Sequence, residues 1–571
     1  GHHPVQPQQA RGHQGAHLAV TESTALLEAV PSLTSRRVRL AMAALCAAVF
    51  VAALDQTMVL TVLPSIMGTL HIPYTRINDA GWIVTGYLLG YTVAMPLFGR
   101  LADVRGRRLM CVIALGLFML GSGFCWAAPN LGLFVASRVV QAAGGGALVP
   151  IAMAAAADMF PRQRRALILG IIGGAAEAGG VLGPIYGAGL TRLWEWQLIF
   201  IVNIPLSLIL IGICWRLLLP DAETPARALA QEAAYATDGA RPAADAGADA
   251  GAGSRSDNRR TPARAGWLQH GQVDYVGAAL MAVALAGLTI GLGGSTQNSA
   301  QPVKWPWLAV SVVAFVVFVL YERRLRQPLV NLAFFRDLPF AAATFANLAV
   351  GAALIIGMVE VPLYAYSLLG LSEIQGGLLL IRLTLLIPVG AVLGGWLADR
   401  IGYRVTAVIG FLVAFAGYVL LSFWGAHPSG LTMTRDLMIT GFGFGLVIAP
   451  IGATVIASVG PRWMATGSAL VTVTRMIGMM AGISALGSWG LRHFTSLMGG
   501  LDLPLRGPGM TDAQYNALTQ AYEDRLTASF HILYHDFFVI AAVIVAIAII
   551  PSLFFYMKRG RGTGRMPFIP Q

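Results

Sequence analysis

Runs of about 20 apolar residues recur along this chain, each long enough to cross the roughly 30 Å hydrocarbon layer of a bilayer as a helix. The first half carries six, at 39–63, 80–100, 109–128, 131–157, 166–190 and 197–219. Eight more follow, at 273–293, 306–321, 338–360, 374–397, 405–425, 432–458, 466–491 and 536–557. A soluble fold would have to bury all of them. Composition agrees with a membrane protein: 12% of the 571 residues are charged, against about 25% in soluble domains. The fold class expected is all-α and integral to the membrane, with about fourteen spans.

The loops set the orientation. Arg36, Arg37 and Arg39 precede the first span. Arg100, Arg105, Arg107 and Arg108 lie between spans two and three, and Arg162, Arg164 and Arg165 after span four. Arg323, Arg324 and Arg326 follow span eight, and Lys558, Arg559 and Arg561 follow the last. These are alternate loops, so the positive-inside rule makes them cytoplasmic. The net charge of +12 is explained by this placement, and a nucleic-acid partner is not expected. An even number of spans puts both termini in the cytoplasm of a bacterium whose inner (plasma) membrane holds the chain.

Composition also marks the boundaries. Residues 1–35 are polar and read as a disordered cytoplasmic tail; 220–272, rich in Ala, Gly, Pro and Arg, read as a disordered cytoplasmic linker. The remainder divides into a six-span bundle at 36–219, two extra spans at 273–325, a second six-span bundle at 326–558 and a cytoplasmic tail at 559–571. An outer segment at 492–535 is long and polar, and helical character over Thr511 to Phe530 makes it a candidate periplasmic extension of the last two spans. Cys46, Cys111, Cys125 and Cys214 all fall in apolar runs, which implies no disulfide framework. No metal-ligand spacing, phosphate-binding loop or nucleophile motif stands out, so neither an enzyme nor a cofactor is expected.

Three features carry the functional signal. A loop sequence is duplicated: Gly99, Asp103, Gly106, Arg107 and Arg108 recur in register as Gly395, Asp399, Gly402, Tyr403 and Arg404. Duplicated halves around a central site are a transporter architecture. The stretch Gly170 to Gly189 is apolar and too rich in glycine for an ordinary helix, with Glu177 in its middle. Small residues let membrane helices approach closely, and an acid at such depth is a functional hypothesis by default. Asp55, Arg138, Arg382 and Arg475 also interrupt apolar runs. Glu177 and Arg475 are about eleven and nine residues into spans that run the same way, so they lie within roughly 3 Å in depth. A pair between them across the central cavity is expected, with Asp55 as a third member. Glu360 is the weaker expected partner of Arg382.

These motifs resemble the major facilitator superfamily, and within it the fourteen-span drug:proton antiporters. The resemblance covers Arg36 to Lys558 outside the linker. The duplicated loop resembles the superfamily's cytoplasmic loop motif, in which the aspartate sits near a helix N-terminus. Gly170, Gly179, Gly183, Pro184 and Gly187 hold the spacing of its antiporter motif, with Ala188 in place of the last glycine. Tight packing between the two halves is the expected role. Leu54, Asp55 and Thr57 with Leu63 and Pro64 resemble the first-helix motif. Arg138 and Gln141 resemble an arginine motif linked to proton coupling, though Ala142 stands where glycine is usual. A structural arginine held by backbone carbonyls is the alternative. Trp194, Trp196, Phe200, Asn203 and Pro205 fit the family's entry to span six and read as structural.

The resemblance implies a proton-coupled exporter working by alternating access, with Asp55, Glu177, Arg475 and Arg138 coupling protons. Gly99, Asp103, Gly106, Arg107, Gly395, Asp399, Gly402, Arg404, Gly179, Gly183, Pro184 and Gly187 would gate it. Met58, Tyr87, Arg382, Phe444 and Met479 are candidate cavity residues. Multidrug efflux is the broader description of the activity. Lipid export is the alternative, because Glu177, Arg475, Asp55 and the outer extension together look like the mycobacterial triacylglyceride exporters. The partners implied are a hydrophobic or lipidic substrate, protons, the bilayer and, for a lipid exporter, a periplasmic lipoprotein; a monomer is expected. A non-transporting membrane sensor or scaffold is the second alternative.

Overall fold

The computed structural model describes residues 36–70, 77–160, 162–193, 195–218, 274–293, 304–325, 328–371, 373–425, 428–460, 463–499 and 510–556. The expected tails at 1–35 and 559–571 and the linker at 220–272 lie outside them. Fourteen of the described helices are long and apolar enough to cross a membrane. The first six are α1 (Arg36–Thr69), α2 (Ile77–Arg105), α3 (Arg107–Ala127), α4 (Leu131–Met159), α5 (Arg165–Leu193) and α6 (Leu198–Leu217). The extra pair is α7 (Tyr275–Gly293) and α8 (Trp305–Glu322). Then come α9 (Leu338–Ser367), α10 in two pieces (Glu373–Thr384 and Leu386–Ile401), α11 (Tyr403–Ser422), α12 (Gly430–Val459), α13 (Met464–Leu497) and α14 (Asp512–Ser552).

Local chemistry fixes many of the ends. Gly106 and Gly402 separate α2 from α3 and α10 from α11 with φ of 103° and 99°, a backbone that a Cβ makes costly. This is why the duplicated loop keeps glycine there. Asn130 and Ser429 cap α4 and α12 by accepting the N–H of Leu133 and Thr432. Thr511 and Gln514 form a capping box at the head of α14.

In the first bundle α1 packs on α5, α2 and α3 on α4, and α3 on α6; in the second α9 packs on α13 and α14, and α12 on α10 and α11. The bundles meet through α5 against α10 and α12, and through α13 against α2 and α4. The helix α7 lies against α2 and touches α13, while α8 rests on α7. Close approach of α7 to α8 is allowed by Gly287, whose position faces the Trp307 carbonyl and Ser311.

The last two spans are far longer than a bilayer crossing requires. At 34 and 41 residues, α13 and α14 reach about 51 and 62 Å at 1.5 Å per residue, beyond a roughly 30 Å core. The expected outer helix and span fourteen are one continuous helix. Phe494 stacks on Phe530 at 4.8 Å and Trp489 meets Phe537 at 5.7 Å, which ties the projecting ends together. Arg525 donates to the Leu497 carbonyl at the end of α13.

Candidate functional site

Three levels of polar contact are built on this frame, beginning at the face that carries the basic loops. Asp103, at the end of α2, accepts the N–H of Ala465 at 3.1 Å and of Thr466 at 2.8 Å, and the Thr466 hydroxyl at 2.7 Å. These donors are the first turn of α13, in the other bundle. Asp399, at the end of α10, accepts the N–H of Ala166 at 3.2 Å and of Leu167 at 3.0 Å, the first turn of α5. Each carboxylate therefore meets the orphan N–H groups and positive dipole end of a helix across the molecular axis. Gly99 and Gly395 make the approach possible: a Cβ would lie 2.8 Å from the Ala465 carbonyl oxygen at one and 2.5 Å from that of Ala166 at the other. Arg107 sits 3.2 Å from Asp103 and 2.6 Å from Asp158 of α4. Arg404 flanks the second latch by sequence.

At mid-depth Arg475 Nη1 lies 2.6 Å from Glu177 Oε1, joining α13 to α5. Both side chains keep a little exposure, 19% and 18%. Equal depth follows from counting, because both helices start at the basic face and carry these residues twelve and eleven positions in. Below this level α5 touches the other bundle: a Cβ at Gly173 would meet Ile448, and one at Gly174 the Pro388 carbonyl.

Above it the glycines turn inward. Gly179 faces Phe50, Ala53 and Leu54; Gly183 faces Leu54, Thr57 and Met58; Gly187 faces Met58 and Thr61. All these partners belong to α1. The expected seam between halves at Gly179, Gly183 and Gly187 is therefore a seam inside the first bundle, since the α5 face bearing every fourth residue after Gly179 points at α1. Gly170 does meet the other half, at Ala391 and Ala449. Pro184 stays inside α5 as an interior proline. The second bundle repeats the device without a noticed motif: Gly478 and Gly482 of α13 face Leu348, Ala352 and Ile355 of α9.

The third level lies inside the first bundle. Asp55 is fully buried and Arg138 is 1% exposed, with Nη1 2.6 Å from Asp55 Oδ2. Gln141 Nε2 and Asn203 Nδ2 donate to Asp55 Oδ1 at 2.9 and 2.8 Å. Gln141 also accepts from Arg138 at 2.6 Å and donates to Ser122 Oγ at 2.8 Å. The Arg138 guanidinium lies 4.1 Å from the Tyr87 ring centre, a cation–π contact. Asp55 is thus the partner of Arg138, and its expected place beside Glu177 and Arg475 is corrected. The side of α1 that bears Asp55 points at α4 and α6. Arg138 takes this carboxylate in place of the carbonyls of the alternative reading. Ser122 and the role of Asn203 were missed by sequence reasoning; a lone amide in the apolar run Ile201 to Ile204 was the available signal.

The candidate cavity residues fare unevenly. Met58, Tyr87 and Phe444 are at most 1% exposed, so they line no open space in this conformation. Met58 fills the α1–α5 seam, Tyr87 stacks against Arg138, and Phe444 meets Tyr418 edge-on at 5.9 Å. Met479 is half-buried, on the α13 turn beyond Arg475. Arg382 donates to Thr434 at 2.9 Å and to the Gly430 carbonyl at 3.3 Å, so the weaker expectation of a pair with Glu360 is also corrected. Its guanidinium turns to the start of α12, where helical residues within reach offer oxygen acceptors.

Comparison with known proteins fits this geometry. The sequence model of the Major Facilitator Superfamily matches residues 45–483. A triacylglyceride transporter of Mycolicibacterium smegmatis is 34% identical over 520 residues, covering 89% of this chain and 85% of that protein. One of Mycobacteroides abscessus is 38% identical over 476 residues, covering 81% and 84%. One of Mycobacterium tuberculosis is 33% identical over 524 residues, covering 89% and 92%. Among solved structures, the human organic anion transporter MFSD10 (TETRAN) superposes with a TM-score of 0.54 at 14% identity, covering 90% of this chain and all (100%) of that one. The proton:xylose symporter XylE gives 0.54 at 12% identity, covering 88% and 94%. These two likenesses concern the fold.

Proposed function

The chain belongs to the major facilitator superfamily, and from that premise we propose that it is a proton-coupled exporter of lipids of the triacylglyceride class. The observation that carries the proposal is the Glu177–Arg475 pair. It joins the bundles at the level where their other named contacts stop, in a chain whose relatives are named for triacylglyceride transport. Similarity over more than four-fifths of those proteins supports the lipid reading over multidrug efflux.

The conformation is closed at the basic face, which the positive-inside rule assigns to the cytoplasm. Opening that face requires Asp103 and Asp399 to leave the N-termini of α13 and α5. It also requires Glu177 and Arg475 to part. Separating a buried pair costs about 3–5 kcal/mol when one charge stays uncompensated. A proton on Glu177 removes the Coulomb attraction that holds the pair, and the Arg475 charge, already partly exposed, is then left to water as the bundles part. Asp55 supports coupling from within its bundle, because protonation there would free Arg138 and loosen the α1–α4–α6 contact. Lipid then leaves toward the outer face along the projecting α13 and α14, for a periplasmic lipoprotein to receive. On this reading the protein works as a monomer in a bacterial plasma membrane, with both termini in the cytoplasm by the positive-inside rule.

Inverted membrane vesicles under an imposed pH gradient test this reading with two probes, a fluorescent triacylglycerol and a cationic dye. Gradient-driven movement of the lipid is expected. Movement of the dye alone would point to multidrug efflux, and movement of neither would end the exporter reading.

A further inference from the structure

The second bundle buries two acids, Asp436 of α12 and Glu360 of α9, and only Asp436 is met by donors among the described residues. Glu360 of α9 is 8% exposed. It stands on the inward face of the helix, in line with Ala353, Gly357 and Tyr364, all of them buried. Above Ala353 is the Tyr418 hydroxyl, which donates to its carbonyl at 2.5 Å. Beyond Glu360 is an aromatic cluster in which Tyr364 packs on Trp424 at 5.2 Å and on Tyr534 at 5.4 Å. Among the described residues Glu360 has no hydrogen-bond donor and no cation.

Apart from His531, the titratable and charged groups named here on the neighbouring helices are engaged elsewhere. Tyr364 donates to the Gly425 carbonyl, and Tyr534 meets Ser367. Asp436 of α12 accepts from Trp424 and from Arg435. On α14, His535 contacts the Ser422 carbonyl, Asp536 contacts His493, and His531 is half-buried. Arg382 of α10 is held by Thr434, and Arg475 of α13 by Glu177. A carboxylate placed in such surroundings without a donor is far costlier than the neutral acid. The position suits loading from outside: Glu360 is 22 residues into a helix that starts at the basic face, about 33 Å along it.

We propose that Glu360 is a proton-binding site of the second bundle, loaded from the outer side in this conformation and unloaded when the bundles reverse. The step is proton transfer alone: the acid releases H⁺ to water and leaves a carboxylate. The inference rests on the proton-coupled reading, and its test keeps the two apart. Infrared difference spectra of the purified full-length chain between acidic and alkaline pH need no transport. The wild type should show a carboxylic-acid C=O band that Glu360→Gln removes and Glu360→Asp restores at a shifted position, with the Asp55→Asn spectrum keeping it. A Glu360→Gln spectrum that retains every such band of the wild type overturns the site.

In the vesicle assay with the membrane potential clamped, a one-unit pH gradient acting through two carried protons drives about a 100-fold leaflet ratio of fluorescent triacylglycerol, and through one proton about tenfold. Glu360→Gln should lower the ratio by about tenfold per pH unit, and Glu360→Asp should recover it. An unchanged ratio in Glu360→Gln overturns the carrier role even where the band is lost. A wild type indifferent to the gradient, with the band still assigned to Glu360, refutes the coupled exporter and leaves the binding site standing.

Discussion

Asp55 of the first bundle and Glu360 of the second are both buried and are treated in opposite ways. Asp55 is surrounded by Arg138, Gln141 and Asn203, so its charge is compensated on every side. Glu360 sits one turn from Tyr364, whose ring packs on Tyr534, with no donor among the described residues. The first arrangement stabilises a carboxylate and penalises loss of any partner. The second stabilises a neutral acid and is indifferent to replacement by an amide. The latches at the basic face, by contrast, are alike in both halves. Duplication has therefore kept the device that closes the molecule and let the buried acids diverge.

The largest break in that contrast is expected from Arg138→Met. It leaves Asp55 buried without its cation, and removing one partner of such a pair costs about 3–5 kcal/mol. Thermal unfolding in detergent should show a large drop, and the double variant Asp55→Asn, Arg138→Met should regain part of it. No recovery in the double variant would place the effect in packing against Tyr87 instead.

Glycine seams give the next effect. Gly183→Ala puts a Cβ 2.7 Å from the Leu54 carbonyl and 3.0 Å from the Met58 nitrogen, both backbone. Gly482→Ala meets the Ile355 side chain at 2.9 Å, which can rotate, and the Ala352 carbonyl at 3.0 Å. Overpacking costs about 1–3 kcal/mol, and the first-bundle variant should lie at the upper end. Equal losses in the two would erase the difference between the seams.

Latch variants test the likeness of the halves. Asp103→Asn and Asp399→Asn each weaken charge-assisted bonds to N–H groups of about 1.5–3 kcal/mol apiece. Both should shift the population toward an open basic face, measured as increased distance between spin labels on the α2–α3 and α12–α13 loops. A shift in one variant alone would show that a single latch holds the closed state. The smallest effect on stability belongs to Glu360→Gln, whose unfolding midpoint should match the wild type. A drop comparable to Arg138→Met would show that the second bundle relies on an ionised Glu360.

Much of this was legible in the chain. Span number and the loop arginines follow from hydropathy, because a bilayer fixes the length of an element. Glu177 and Arg475 could be paired from sequence for the same reason, since depth is residue count times rise. Asp55 was open to the same count. It lies 19 residues from the basic end of α1, against 21 for Arg138 in α4 and 11 for Arg475 in α13. Depth at about 1.5 Å per residue already favours Arg138, and the rotation of α1 completes the pairing. The seam of Gly179, Gly183 and Gly187 was misplaced, as glycine spacing shows that a face is flat and does not say which helix it meets. Gly478 and Gly482 passed unnoticed because no motif drew attention to them.

By itself the sequence determined where each charged group lies along its helix, which loops latch, and that the halves are copies. Tertiary structure alone decided the azimuth of every helix, and with it that Asp55 faces inward to Arg138, that Glu360 is buried without a donor among the described residues, and that Met58, Tyr87 and Phe444 are closed off. The reason is geometric. Hydropathy and rise act along the membrane normal and can be summed from residues, whereas helix rotation depends on the packing of all neighbours at once.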